Sequence, residues 1–407
     1  MLIQRSLAVL IVLSLIASAC SGDDQSASVP TSVPQASAEA STVRPELRIG
    51  MVLNIGAPTA ERDRQVRDVL MSAIAASPDA AIARLETLQI DEPDDVDDAV
   101  QALRGLGVTV LVTTCDDSTA PGVVEAGLAN DMLVLTGCAS LPRPAVSTDN
   151  DQVIDVGALT TSASTTANVV AQLLEAEIET GNAGLAQDTQ DGTAQAEPSE
   201  QTQPIAVLSS DLVPDVATEC AAIEDELAPA GTTRSSSFTG LVDEPAAVVE
   251  ELSAALVGVE VVMLCALAPT VGDITSALRE SGFDGPIVVP WFADDEQWSP
   301  EISNVWIVAP SSRYGDDPVT AVNRLYNEVN EPNSVDVVAA DTLSILLYAV
   351  EQTGSVRPAQ LAATLRDGPV VGLSGPLGLD PTANVSREYR LLEVVDGAVG
   401  FSATIDN

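Results

Sequence analysis

Residues 106–142, LGVTVLVTTCDDSTAPGVVEAGLANDMLVLTGCASLP, decide the fold of this 407-residue chain. The two apolar runs in the stretch, 108–112 and 132–135, are too short for helices and are rich in residues that favour strands. Residues 120–129 between them have the length and composition of a helix, with a proline near the first turn. The stretch therefore predicts a β-α-β unit.

Each of the two predicted strands ends in a small polar cluster. Residues 113–118 follow the first strand and residues 136–140 follow the second. Because a crossover helix joins parallel strands, both strand ends lie at the same edge of the sheet. In open α/β sheets that edge is where ligands bind. The sequence therefore predicts that the two clusters lie side by side at a binding site.

The rest of the chain repeats the same alternation of short apolar strands and helical segments. One series spans residues 47–178, and a second series begins at residue 204. Residues 181–203 interrupt them with a polar composition that predicts a disordered surface insertion. Longer helices follow up to residue 365, and a strand pair at residues 389–403 closes the chain. This pattern predicts an α/β protein of two similar lobes, each with a parallel sheet, and a cleft between them.

Charge and composition exclude several classes of function. The formal net charge of −43 would repel phosphate backbones, which excludes nucleic acid as a partner. The sequence has no histidine, which removes the usual general base, the usual catalytic pairs and the commonest zinc ligand. We therefore predict a protein that is not an enzyme and that uses neither a cofactor nor a metal ion.

The first twenty residues form a targeting segment. Arg5 precedes an apolar run at residues 7–16, and the box Ala17-Ser18-Ala19-Cys20 is similar to that of lipoproteins, in which the cysteine is lipidated. A plain secretory signal peptide and an uncleaved anchor are the alternatives. Residues 21–45 are rich in Ser, Ala, Pro and Thr and predict a flexible tether. The expected location is the extracytoplasmic face of the membrane, with attachment by a lipid anchor.

Four further cysteines lie in the exported part of the chain and permit three pairings. Cys115 and Cys138 follow the two strands of the β-α-β unit, so we predict that they form one disulfide. Cys220 and Cys265 then form the other. Four buried free thiols are the alternative, which the oxidising compartment makes less favourable.

Several blocks of the sequence, in their order, resemble the type I periplasmic solute-binding proteins, in particular the branched-chain amino acid-binding proteins of ABC importers. The resemblance extends from about Leu47 to Ala403. The blocks that carry it are RIGMVLN, VTVLVTTCDDST, MLVLTGCASLP, VAPSSRYGDDP, ADTLSILLYAVEQTG, SGPLGLDPTAN and YRLLEVVDGAVG.

The resemblance implies two Rossmann-like lobes joined by a three-strand hinge, with crossings near Thr160, Pro310 and Ser374. Each lobe is then discontinuous, and closure about the hinge encloses a small solute. The implied lobes are residues 46–160 with 311–373, and residues 161–310 with 374–407.

The resemblance also implies where a solute would bind, and there the sequence departs from the family. A hydroxyl of the family that holds a ligand carboxylate is replaced by Asp116, which would repel that carboxylate. Trp291 and Phe292 occupy the place of the acid that takes the ligand ammonium, and Asp294 follows two residues later. The solute is then an amino acid held through Ser118 or Thr119 and Asp294, or a cation, a polyol, an amide or an aromatic molecule.

We take ten residues as candidate ligand contacts, and each has a structural alternative. Aspartate and serine favour turns and helix caps, the paired threonines favour a helix cap, and the aromatic side chains favour the core. Asn54 and Ile55, after the first strand, are further candidates. The ten are Asp116, Asp117, Ser118, Ala139, Ser140, Thr160, Thr161, Trp291, Phe292 and Asp294.

These observations predict a monomeric, lipid-anchored receptor that delivers a small polar solute, such as an amino acid or amide, to an ABC permease. The alternative is a ligand-sensing or degenerate receptor of the same fold that acts on a membrane partner. An enzyme is a third possibility, disfavoured by the missing histidine and the lack of a nucleophile motif.

Overall fold

The structure is a computed structural model, and it describes most of the chain beyond residue 44. The described ranges are residues 45–57, 59–76, 83–116, 118–136, 152–156, 163–176, 205–211, 214–229, 233–238, 245–252, 256–267, 270–294, 297–310, 333–368, 370–372, 374–379 and 385–405. All of them lie in the unit Arg44–Asn407. The predicted signal peptide, the tether and Cys20 lie outside the described residues.

The first sheet has five parallel strands in the order β2-β1-β3-β4-β5. The strands are β1 (Leu47–Asn54), β2 (Ala83–Ile90), β3 (Val110–Val112), β4 (Leu133–Thr136) and β5 (Val153–Asp155). The helices of this part of the chain are α1 (Ala60–Ala76), α2 (Val96–Gly105), α3 (Ala120–Ala129) and α4 (163–176). A 3-10 turn, Pro93–Asp95, precedes α2.

The predicted β-α-β unit is present. Strands β3 and β4 are parallel neighbours, with Val110 opposite Leu133 and Val112 opposite Leu135. Helix α3 packs closely on them at Gly127, where an added Cβ would lie 2.7 Å from a methyl of Val134. A larger residue would therefore force the helix away from the sheet.

Strands β1, β3 and β4 of the first sheet are buried on both faces, whereas the edge strand β2 is partly exposed. Along β1, Ile49 and Met51 belong to one core cluster, whereas Val52 belongs to a second cluster with α2 and α3. Strands covered on both faces need apolar residues at nearly every position. This explains why the sequence shows continuous apolar runs here and not an alternation.

The second sheet has seven strands in the order β15-β14-β10-β9-β8-β6-β7, of which β14 and β15 are antiparallel additions to a parallel sheet. Its strands are β6 (Ile205–Ser210), β7 (Thr233–Phe238), β8 (Val261–Cys265), β9 (Ile287–Pro290), β10 (Val305–Ala309), β14 (Tyr389–Val395) and β15 (Ala398–Ile405). Its helices are α5 (Pro214–Leu227), α6 (Pro245–Glu251) and α7 (Thr270–Glu280). A second 3-10 turn, Trp291–Ala293, follows β9.

Two helices and a small sheet complete the described fold. Helix α8 (Ser334–Thr353) begins at a capping box between Asn333 and Asp336 and ends at Gly354, whose φ of 61° suits a glycine. It packs on α1 and on α9 (Pro358–Arg366). The small antiparallel sheet consists of β11 (Val370–Gly372), β12 (Gly375–Leu379) and β13 (Val385–Arg387). No helix in the described ranges is long and apolar enough to cross a membrane.

The α/β prediction is confirmed, with some elements missed. The pattern of apolar runs gave no strand at β10, although VWIVA is such a run, and it did not indicate the small sheet. Only the resemblance implied a crossing near Pro310, directly after β10. One of the longer helices that the sequence predicts, at residues 318–329, lies outside the described residues. The lobe bounds stay a prediction because the crossings near Thr160 and after Pro310 also lie outside the described residues.

Candidate functional site

The carboxyl edge of the first sheet gathers buried polar side chains, as the β-α-β unit predicted. Asn54 ends β1, Thr113 and Thr114 follow β3, and Thr136 ends β4; all four are at most 3% exposed. Burying polar groups costs free energy unless they are hydrogen-bonded, so their partners decide what this edge can do. The described ranges contain no group of three or more Cys, Asp or Glu side chains placed to hold a metal ion.

Asp116 organises the turn between β3 and α3. Its Oδ2 accepts hydrogen bonds from Asn54 Nδ2 at 3.1 Å, Ser118 Oγ at 2.7 Å and Thr119 Oγ1 at 2.5 Å. Its Oδ1 accepts one from the backbone N–H of Ser118 at 3.2 Å. These donors surround a carboxylate that is only 6% exposed. The structure therefore gives Asp116 the turn-forming role that its residue type favours, and its contact with a solute stays a prediction.

The neighbouring candidates differ in their exposure. Thr119 is fully buried, whereas Ser118 is exposed beside the Asp116 carboxylate. Asn54 is buried, and its Nδ2 also donates to Thr119 Oγ1 at 3.0 Å. Ile55, one residue later, is 49% exposed. Among the described candidates at this edge, Ser118 and Ile55 are therefore the exposed ones.

Asp63, which sequence analysis missed, lies beside this edge on the first turn of α1. Its Oδ1 accepts the backbone N–H of Cys115 at 2.5 Å, which ties α1 to the end of β3. Its side chain is fully buried, and among the described residues Oδ2 has no hydrogen-bond partner. Two nearby hydroxyls are also buried without a hydrogen-bond partner among the described residues. Thr59 lies one helical turn before Asp63, and Thr113 lies two residues before Cys115.

Burial raises the pKa of the Asp63 carboxyl to about 7. The Cys115 N–H lowers this pKa and the negative charge of Asp116 raises it, but the loss of solvation is the largest cause. A strongly perturbed carboxyl at the ligand edge of an α/β sheet is a candidate functional group. Asp63 therefore joins the candidate site.

The sequence does hold a signal for Asp63. Two acids, Glu61 and Asp63, open α1, and such acids suit the positive end of a helix, so they attract no notice. Asp63 also lies three and seven residues before Val66 and Leu70, which are buried on the helical face towards the core. An acidic residue within the apolar stripe of a helix was therefore the sequence feature that indicated a buried carboxyl group.

The described candidates that follow β9 of the second sheet, Trp291 and Asp294, are buried. Trp291 is 4% exposed and belongs to the main core cluster, which agrees with its structural alternative. Asp294 is 8% exposed, and its Oδ2 accepts the backbone N–H of Ser334 at 2.8 Å and the Ser334 hydroxyl at 2.5 Å. The Asp294 carboxylate thus contacts the N-terminus of α8, and its predicted contact with a ligand ammonium stays untested.

The remaining candidates lie outside the described residues. These are Asp117, Ala139, Ser140, Thr160 and Thr161, and the side chain of Phe292 is likewise not described. Their predicted roles stay predictions.

A buried ion pair joins segments that the resemblance places at two of the crossings. Arg387 of β13 donates to Asp341 of α8 at 3.0 Å and to the backbone oxygen of Val156 at 2.5 Å. The backbone N–H and the hydroxyl of Ser374 donate to the same aspartate, at 3.1 and 2.6 Å. The pair therefore ties the residue after β5 to the turn before β12.

The structure joins Cys220 of α5 to Cys265 of β8 in a disulfide, the pair that the sequence predicted. Cys115 is also disulfide-bonded. Cys138, its predicted partner, lies outside the described residues, so that pairing stays a prediction.

Three solved structures show the same fold at low sequence identity. A leucine-binding protein of Thermotoga maritima is 17% identical with a TM-score of 0.64, covering 88% of this chain and 99% of its own. A branched-chain amino acid transporter substrate-binding protein of Streptococcus pneumoniae, in complex with isoleucine, is 13% identical with a TM-score of 0.63 over 88% and 99% of the two chains. An ABC transporter solute-binding protein of Rhodopseudomonas palustris, in complex with 3,4-dihydroxybenzoic acid, is 15% identical with a TM-score of 0.66 over 89% and 97%.

No curated protein sequence matches the chain. A family model described as periplasmic binding protein matches residues 46–398, which is most of the chain and includes the first sheet and all of the second except β15. The chain belongs to the periplasmic binding protein family.

Proposed function

We propose that the chain is an extracytoplasmic, lipid-anchored receptor that delivers a small polar solute to an ABC permease. One observation supports the proposal above the others. The carboxyl edge of the first sheet, where α/β sheets bind ligands, concentrates the buried polar groups of Asn54, Asp63, Thr113 and Asp116. Affinity would come from closing the two lobes on the solute, with a few polar groups fixing its orientation.

The acidic side chains at this edge of the first sheet limit which classes of solute could bind there. Asp116 and Asp63 are both buried there, and an added carboxylate would be repelled by either in its ionised form. We therefore expect the solute to present hydrogen-bond donors, such as an amine or an amide, to the first lobe. An amino acid would then bind with its ammonium towards the first sheet, opposite to the orientation that the family resemblance implies.

Binding without chemical conversion fits the side chains at this edge. The sequence has no histidine, and the described edge offers hydroxyls, an amide and carboxylates, of which Asn54, Asp116, Ser118 and Thr119 are hydrogen-bonded to one another. Such groups hold and orient a solute without supplying an activated nucleophile.

The lipid anchor rests on the sequence of residues 17–20. Membrane attachment through Cys20 would keep the receptor beside its permease. Replacing Cys20 by alanine is expected to release the protein into the medium or periplasm, which fractionation and immunoblotting would detect. Unchanged membrane association would argue for the uncleaved anchor.

The function is tested by thermal unfolding of the purified full chain with leucine, asparagine, putrescine, glycerol and 4-hydroxybenzoate. A solute present at one hundred times its Kd stabilises the folded protein by about 2.7 kcal/mol, which raises its Tm. Native mass spectrometry would show the same solute bound with one-to-one stoichiometry.

Two variants make the thermal test specific to the site. Asp116→Asn is expected to weaken the response, because an amide cannot accept from all the donors that surround Asp116. Asp131→Asn is the matched control: it makes the same change at the other end of α3, at an exposed position whose φ of 56° asparagine tolerates. If no solute raised the Tm, the sensing or degenerate receptor would replace the transport receptor as our proposal.

A further inference from the structure

We infer that Asp294 and Ser334 form an interlobe latch, a contact that sets the relative arrangement of the two lobes before any solute binds. The inference rests on the proposed two-lobe receptor function. It assigns Asp294 a positioning role in place of direct contact with a solute ammonium.

The two residues belong to different lobes. Asp294 follows the 3-10 turn Trp291–Ala293, which continues β9 of the second sheet and packs on β10. Ser334 is the first residue of α8, and α8 packs on α1 of the first lobe. The hydrogen bonds between them span 40 residues of sequence and connect the loop edge of one sheet to a helix of the other lobe.

The geometry of the contact favours a strong interaction. A single oxygen, Asp294 Oδ2, accepts both the backbone N–H of Ser334 and its hydroxyl, at 2.8 and 2.5 Å. Hydrogen bonds to an ionised acceptor are shorter and stronger than neutral ones. The N–H belongs to the first turn of a 20-residue helix, where the helix dipole also favours a negative charge. Asp294 is 8% exposed and Ser334 is fully buried, so water competes little.

The helix end that receives Asp294 is held firmly in the first lobe. Asn333 and Asp336 form a reciprocal capping box at the start of α8. Gln65 of α1 donates to the side chains of both, at 3.1 and 2.7 Å. A shift of the second lobe relative to the first must therefore stretch the Asp294–Ser334 bonds, since the N-terminus of α8 cannot follow freely.

The inference is tested by measuring the distance between the lobes in the absence of solute. Spin labels are attached to the full chain at Met71→Cys in α1 and at Val257→Cys before β8. The native side chains at these positions are 54% and 69% exposed. The chain also carries Cys20→Ser, so that Cys20 takes up no label. Double electron–electron resonance spectroscopy then gives the distribution of distances between the two spin labels. In Asp294→Asn and in Ser334→Ala, we expect a second distance population that the parent protein lacks. Asp273→Asn, at an exposed first-turn acid of α7, is the matched control and should leave the distribution unchanged.

Two results would overturn the latch. One is a distance distribution that stays the same in both variants while circular dichroism shows them folded. The other is a loss of leucine or putrescine binding in Asp294→Asn with the solute-free distribution unchanged, which would assign Asp294 to the solute. Because the distances are measured without solute, a failure of the latch is separable from a failure to find any solute that binds.

Discussion

Helices α1 and α8, which pack on each other, each carry a fully buried aspartate, and the two corners differ in what compensates the charge. At the corner of α8 and β13, Asp341 accepts from the Arg387 guanidinium and from both donors of Ser374. At the corner of α1 and β3, Asp63 accepts only the N–H of Cys115, and none of the ion pairs among the described residues includes it. Among the described residues, the first corner therefore has a cation paired with its aspartate and the second has none.

This difference separates a structural carboxylate from a titrating one. A buried carboxylate that is paired with a guanidinium and fully hydrogen-bonded keeps its charge, and its removal leaves an uncompensated cation. A buried carboxylate without a cation gains stability by taking up a proton. Mutation should therefore reveal the role of Asp341, and a change of pH should reveal that of Asp63.

The largest effect is expected when the paired corner is broken. Replacing Arg387 by methionine leaves Asp341 buried without its cation and should lower the free energy of unfolding by about 3–5 kcal/mol. Urea denaturation at pH 7 measures the change. The double variant Arg387→Met with Asp341→Leu should regain most of the loss, because an apolar pair of similar volume avoids the buried charge.

An exposed arginine supplies the control for the paired corner. Arg64 pairs with Glu61 on α1, and these side chains are 49% and 84% exposed. Arg64→Met should cost less than about 1 kcal/mol, since solvent screens such pairs. If Arg387→Met cost no more than Arg64→Met, the buried pair would not stabilise the fold.

The unpaired corner should show its effect in the dependence of stability on pH. The pKa of Asp63 is raised from 3.8 to about 7, so the folded protein binds this proton more tightly than the unfolded chain does. The stability that the folded protein gains from binding this proton is fully present below pH 4 and is lost as the pH rises to about 7. Asp63→Asn keeps an oxygen for the Cys115 N–H and removes the charge. It should therefore stabilise the protein at pH 8 by on the order of 2–4 kcal/mol and have little effect at pH 4.

The difference between parent and variant isolates Asp63 from the many other carboxylates. Stability curves of both proteins are measured from pH 4 to pH 8 and subtracted. Asp68→Asn, at an exposed position of the same helix, should give a flat difference. A flat difference for Asp63→Asn as well would mean that Asp63 ionises as readily in the folded protein as in the unfolded chain.

Much of the fold could be predicted because its determinants are local. The runs at β3 and β4 and the helix between them lie within one stretch of sequence, and α3 has the predicted bounds Ala120–Ala129. The small sheet was missed because its strands are short and because β11 ends in Gly and β12 contains Gly and Pro, which ordinarily mark turns. Its three strands persist because each pairs with a neighbour, which no local pattern shows.

The candidate site was less predictable because its contacts join distant parts of the chain. Sequence position placed Asp116 at the edge but did not show Asn54, 62 residues earlier, as its partner. Asp63 and Cys115 are 52 residues apart, so neither the hydrogen bond nor the raised pKa follows from local sequence. Asp294 has the residue type of a ligand contact, and only the packing of α8 shows that the backbone N–H of Ser334 donates a hydrogen bond to its Oδ2.

Asp116 is intermediate between Asp341 and Asp63 in how its charge is compensated, because it has no cation among the described residues but accepts several hydrogen bonds from neutral donors. We expect the smallest change in stability from a mutation there. Asn54→Ala removes the donor at 3.1 Å from Asp116 and leaves the Ser118 and Thr119 donors in place. The free energy of unfolding should fall by about 1–2 kcal/mol, the cost of one lost hydrogen bond and a partly unsatisfied buried acceptor.

A double-mutant cycle with Asp116→Ala separates this contact from the other bonds of Asn54, since Asn54 Oδ1 also accepts the N–H of Gly56. A coupling energy of about 1 kcal/mol between the two positions is expected from urea denaturation. Coupling near zero would show that the Ser118 and Thr119 hydroxyls alone compensate the Asp116 charge. Asp116 would then resemble the paired corner, with its charge compensated by local donors. Among the described residues, Asp63 would be the carboxylate of this edge left for a solute to neutralise.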